Sequence, residues 1–129
     1  MAYPLAYLAM LLVFLGIDAV WLKWVMKPLF DRHLGALLAE QVRLAVAAGF
    51  YLFYVAGIAY FAVAPAGSWS AALFKGFLLG AIAYGTYEFT NMATLKGWHW
   101  SMVITDVAWG AFLTALTAVV GYFMVRALR

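Results

Sequence analysis

The stretch "PLAYLAMLLVFLGIDAVWLKW", residues 4–24, decides the fold class, because it is almost wholly apolar and long enough to cross a bilayer as a helix. Three further runs share this character, at residues 42–64, 71–93 and 102–125. Backbone polar groups in hydrocarbon must be satisfied internally, and long runs without alternation indicate helices and not barrel strands. The sequence therefore predicts an all-α membrane protein with four transmembrane helices.

The composition supports this interpretation. Of 129 residues, 69% are hydrophobic and 10% charged, whereas a soluble domain carries about 25% charged residues. The lipid bilayer is therefore the expected partner, and the length predicts one domain, residues 1–129. There is no cysteine, which excludes disulfides and thiolate chemistry. The basic residues form no stripe or motif for nucleic acid, so we expect no nucleic-acid partner.

The links predict how the helices are arranged. The second and third, "PAGSWS" at residues 65–70 and "TLKGWHW" at 94–100, are short, which favours antiparallel neighbours in an up-down-up-down bundle. The first link is longer, and "PLFDRHLGALLAE", residues 28–40, is predicted to form an amphipathic helix in the interface. The GxxxG pattern "GFLLG", residues 76–80, predicts close helix packing within the monomer.

Three acids interrupt the apolar runs at a common depth. Asp18 precedes the end of the first helix, Glu88 precedes the end of the third, and Asp106 follows the start of the fourth. At 1.5 Å per residue, all three lie roughly 6–9 Å below one membrane surface. A carboxylate at the bilayer centre costs on the order of 2.5–3.5 kcal/mol, so these side chains should face the bundle interior. Three acids at one level favour a functional site over interhelical hydrogen bonds alone.

Other residues are expected to complete this site. Tyr84 and Asn91 share a helix face with Glu88, and each Asp-x-x-Trp pair places a tryptophan one turn from its aspartate. A base at the rim of the second helix could pair with the acids. The predicted ligand-binding residues are therefore Asp18, Glu88, Asn91, Asp106, Tyr84, Trp21, Trp109 and Arg43. We interpret Tyr51 and Tyr54 first as packing residues, and they remain candidates to line the site. Trp24, Trp98 and Trp100 are interpreted as interfacial anchors.

Three motifs carry a family resemblance. "DAVWL" at residues 18–22, "YEFTNMATLKGW" at 87–98 and "TDVAWG" at 105–110 resemble the small bacterial membrane proteins known as domain of unknown function 2177. The resemblance covers essentially the whole chain. It implies four transmembrane helices and a multi-pass protein of the bacterial inner membrane, and it implies no established activity.

Three functions are compatible with these residues. The first is binding or transport of a cation or a small polar, cationic molecule by the acids, for which so small a chain would need a homodimer. The second is a membrane enzyme acting on a lipid or isoprenoid near the headgroups, with one protonated and one ionised acid. The third is a structural subunit of a membrane complex. Carboxylate and amide oxygens suit hard divalent cations, but no residue pattern identifies a metal, cofactor or reaction.

Overall fold

The computed structural model describes residues 2–28, 32 and 44–129, which form four helices and no strand. Helix α1, Ala2–Trp21, continues as a π-helical segment, Leu22–Met26, and α2, Leu44–Ile58, continues as a second one, Ala59–Val63. The chain then forms α3, Trp69–Thr94, and α4, Trp100–Leu128. The predicted all-α, four-helix architecture is confirmed. The predicted interfacial helix falls almost entirely on residues outside those described.

Three of the four helices are apolar and long enough to cross a membrane: Ala2–Met26, Ala45–Val63 and Trp100–Leu128. Helix α3 is less apolar because it carries Lys75, Glu88, Asn91 and several threonines. Its 26 residues nevertheless extend about 39 Å, more than the roughly 30 Å of a hydrocarbon core. Thr86, Thr90 and Thr94 each donate a hydrogen bond to a carbonyl one turn earlier, so their hydroxyls need no partner from another helix.

Contacts between helices establish the antiparallel order. On α3 and α4, Gly76 meets Thr114 while Gly80 meets Gly110, so the two helices run in opposite directions. The link between them turns at Gly97, whose φ of 86° is a conformation that glycine adopts without strain. The Ser68 hydroxyl begins α3 by accepting a hydrogen bond from the Ala71 backbone N–H, at 3.1 Å.

Helices α3 and α4 make the most extensive contact in the bundle, through backbone instead of large side chains. Gly76 and Gly80 are buried against α4, where a methyl group added to Gly80 would lie against the Gly110 carbonyl and 2.8 Å from the Ala111 Cα. This close approach confirms the prediction that the GxxxG pattern serves packing within the monomer. Small residues are the usual means by which membrane helices approach closely.

The close contact between Gly80 and α4 leads to a prediction about the stability of the protein. Gly80→Ala should lower the free energy of unfolding by roughly 1–3 kcal/mol, because α3 and α4 must separate to admit the methyl group. Gly85→Ala on the same helix is the control, since its methyl would meet only the Phe89 ring at 3.8 Å. Thermal unfolding in detergent, followed by circular dichroism, measures both. Equal melting temperatures for the two variants would contradict the packing described.

Helix α2 packs unevenly along its length. Its π-helical continuation lies against α3 and α4, whereas Leu44–Ile58 makes few contacts with either. Val55 and Ile58 join Met10, Phe14 and Leu113 in the main apolar core. The first half of α2 therefore stands away from α3, and a cavity opens between them.

Candidate functional site

The cavity between α2 and α3 has a volume of about 420 Å³. It lies at the end of the bundle where α1 and α3 finish and α2 and α4 begin. Its walls are mainly aromatic rings and small side chains, and two carboxyl groups from α1 and α4 reach it. The lining residues are Asp18, Ala47, Phe50, Tyr51, Tyr54, Ala83, Tyr84, Tyr87 and Asp106.

Asp18 is held by donors from two other helices. Its Oδ2 accepts a hydrogen bond from the Tyr51 hydroxyl at 2.8 Å, and its Oδ1 accepts one from the Trp109 indole Nε1 at 3.1 Å. Trp109 stacks on Trp21 with ring centroids 4.1 Å apart and an interplanar angle of 2°. The carboxyl group is buried, at 3% exposure, yet each oxygen has capacity for a further hydrogen bond.

Glu88 and Asp106 form a second carboxyl cluster. Glu88 is completely buried, and its Oε1 accepts a hydrogen bond from the Trp98 indole Nε1 at 2.9 Å. Its Oε2 has no hydrogen-bond partner among the described residues. The Asp106 carboxyl lies close enough to interact electrostatically with Glu88. Two buried carboxylates repel each other, so a proton on one of the two acids would relieve this repulsion.

The remaining predicted residues have varied environments. Tyr84 lines the cavity, and its ring covers Gly110 so closely that a methyl group there would overlap it. Asn91 is half-buried and lies near the Tyr87 hydroxyl, at the edge of the site. The Trp21 indole N–H is buried and meets no acceptor among the described residues. Arg43 lies outside the described residues.

The three acids belong to the same end of the bundle but do not converge on a single point. Asp18 and Asp106 reach the cavity, whereas Glu88 lies behind Asp106. Within residues 2–28, 32 and 44–129, no group of three or more histidine, aspartate or glutamate side chains is placed to hold a metal ion. The geometry therefore gives no support to the three acids as joint ligands of a hard divalent cation.

Sequence reasoning underestimated several residues of the site. Tyr51 and Tyr54, interpreted as packing residues, line the cavity, and Tyr51 holds Asp18 directly. Trp98, interpreted as an interfacial anchor, is buried and holds Glu88, while Trp24 and Trp100 are exposed as expected of anchors. The available sequence signal for a role in the site was the presence of two tyrosine hydroxyls, three residues apart, in an otherwise apolar helix.

The sequence profile of a family described as "Predicted membrane protein (DUF2177)" matches residues 3–123. The chain belongs to the DUF2177 family. The DUF2177 match covers all four helices except the end of α4, and it confirms the family resemblance carried by the three motifs. No curated protein and no solved structure matches this DUF2177 chain.

Proposed function

We propose that the chain binds an organic cation that has an apolar body, and that the cavity between α2 and α3 is the binding site. The observation that carries the proposal is the combination of two carboxyl groups with five aromatic rings around one cavity, those of Phe50, Tyr51, Tyr54, Tyr84 and Tyr87. Aromatic faces attract cations by about 0.5–2 kcal/mol each, and a nearby carboxylate adds specificity for positive charge.

The charge of the cavity favours a cation over an anion or a neutral lipid. No lysine or arginine is among the described residues that line it, so its acids are not neutralised there by a base. The Asp18 oxygens each accept one hydrogen bond and can accept another from an ammonium N–H. A metal ion would need about six oxygen ligands, which two separated carboxyls do not supply.

The opening of the cavity suits a ligand that arrives from the bilayer. The first half of α2 contacts α3 sparsely, and Phe50, which lines the cavity, is 58% exposed on the outer surface. A cation with an apolar body could therefore reach the acids between α2 and α3. We further propose that transport across the membrane uses a homodimer, since four helices provide a narrow pathway. The expected location is the bacterial inner membrane, as the family resemblance implies.

Tetraphenylphosphonium is a suitable probe, with tetraphenylborate as an anion of the same shape. Titration of the detergent-solubilised protein should give saturable binding of the cation and none of the anion. Ala47→Leu should fill the cavity and weaken the binding of the cation, whereas Ala48→Leu on the exposed neighbouring position should not. Equal binding of both ions, or equal effects of both variants, would refute the proposal.

A membrane enzyme acting on a lipid is the second candidate, and the interacting Glu88 and Asp106 carboxyls favour it. One protonated and one ionised acid could serve as general acid and base at a bond near the headgroups. No serine, cysteine or histidine is among the described lining residues, so a nucleophile from this lining would be a carboxylate or a tyrosine hydroxyl. Identical lipid profiles in cells with and without the protein, by mass spectrometry, would reject this candidate.

A further inference from the structure

A second cavity, of about 280 Å³, lies at the opposite end of the bundle, where α2 ends and α3 begins. Its walls come from the start of α1, the link after α2 and the end of α4. Val63 and Val125 form an apolar part. Two tyrosines and two arginines, Tyr3, Tyr122, Arg126 and Arg129, form a polar part. The cavity shares no residue with the acidic site.

The two arginines are oriented by neutral groups. Arg126 Nη1 donates a hydrogen bond to the Tyr122 hydroxyl at 2.6 Å, and Arg129 Nη2 donates one to the Tyr3 hydroxyl at 3.4 Å. Each guanidinium has five N–H donors, so several donors per side chain stay available to a ligand. A tyrosine hydroxyl carries no charge, so both arginines keep their full positive charge at the cavity.

The acidic side chains of the described residues lie at one end of the bundle. The acids described, Asp18, Glu88 and Asp106, all lie at the other end, beside or behind the first cavity. None of them lines the second cavity. The second cavity therefore combines two positive charges with an apolar wall.

We propose that this cavity binds the phosphate group of an anionic phospholipid between Arg126 and Arg129. Planar guanidinium groups form paired hydrogen bonds with phosphate oxygens, and this geometry makes arginine the preferred residue for phosphate recognition. Arg126 lies in the last turn of a membrane-spanning helix and Arg129 directly follows that helix, at the level where headgroup phosphates are concentrated. Val63 and Val125 would contact the glycerol and the first acyl carbons, which favours a lipid over free phosphate as the source of the group.

Native mass spectrometry of the detergent-solubilised protein tests the proposal. Phosphatidylglycerol should bind, whereas diacylglycerol with the same acyl chains, which lacks the phosphate, should not. The double variant Arg126→Gln, Arg129→Gln should weaken phosphatidylglycerol binding by at least about tenfold. A tenfold loss corresponds to about 1.4 kcal/mol, which is less than the contribution of one hydrogen bond to a charged group. Lys75→Gln is the matched control, because it removes a positive charge from the same end of the bundle outside the cavity.

Each other outcome would overturn the proposal in a defined way. Equal binding of phosphatidylglycerol and diacylglycerol would show that the phosphate is not recognised. An equal loss in Lys75→Gln would show a general surface charge effect instead of a site. Competition by glycerol 3-phosphate at the same concentration as the lipid would assign the cavity to a soluble phosphate. If the double variant does not fold, Arg126→Lys replaces it, because lysine keeps the charge but cannot form paired hydrogen bonds. Unchanged phosphatidylglycerol binding in the folded Arg126→Lys variant would exclude paired recognition of the phosphate.

Discussion

Replacing Asp18 by asparagine is expected to weaken tetraphenylphosphonium binding by at least about tenfold, which corresponds to 1.4 kcal/mol. Asp18 presents a buried carboxyl group at an aromatic cavity, and charge attraction is strong where water is excluded. Asparagine has the same shape and can still accept the hydrogen bond from the Trp109 indole N–H. The variant therefore removes the charge and keeps the fold.

Two measurements separate this effect from a loss of structure. The melting temperature of Asp18→Asn in detergent should stay close to that of the unmodified protein, and tetraphenylborate should still not bind. Isothermal titration calorimetry gives the dissociation constant for each ion. Wild-type affinity for tetraphenylphosphonium in the folded variant would exclude Asp18 from the binding site.

Glu88→Ala is expected to lower the free energy of unfolding by roughly 2–4 kcal/mol. The substitution leaves a void at a fully buried position and removes the acceptor of the Trp98 indole N–H. It also removes the carboxyl group that interacts with Asp106. The link between α3 and α4 would lose the hydrogen bond that its buried Trp98 makes with α3, while the apolar packing of Trp98 remains.

Glu88→Gln is the matched comparison for this prediction. Its amide oxygen can accept from Trp98 and its amide NH₂ can donate to Asp106, so the loss should stay below about 1 kcal/mol. Denaturation of both variants in mixed micelles, followed by circular dichroism, measures the difference. If alanine and glutamine destabilise the protein equally, the Glu88 hydrogen bonds described here do not contribute to stability.

The depth and burial of the acids could be predicted from the sequence, because position along an apolar run determines depth, and lipid excludes unpaired charge. The partners of the acids could not. The Asp-x-x-Trp spacing suggested a tryptophan beside its own aspartate, yet Trp109 of the second pair donates to Asp18 of the first. This exchange depends on how α1 and α4 are rotated about their axes, which depth does not specify.

Trp98 and Tyr51 illustrate a second reason for the incomplete prediction. A tryptophan in a short link between membrane helices is usually an interfacial anchor, so nothing in its position indicated a buried hydrogen bond with Glu88. Tyr51 lies in the first half of α2, whose sparse contact with α3 leaves the cavity between them. The placement of a helix results from packing along the whole length of the bundle, so the cavity itself had no local sequence signal.

The glycine contact between α3 and α4 divides the protein mechanically. At Gly76 and Gly80 the backbones of the two helices are in contact, without large side chains between them. We therefore expect α3 and α4 to move as one rigid unit that includes Glu88 and Asp106. Asp18 and Tyr51 lie on the other two helices, and the first half of α2 is loosely attached. Any conformational cycle of this protein should therefore move the first half of α2, and Tyr51 with it, relative to Asp106, while Glu88 and Asp106 keep a constant distance.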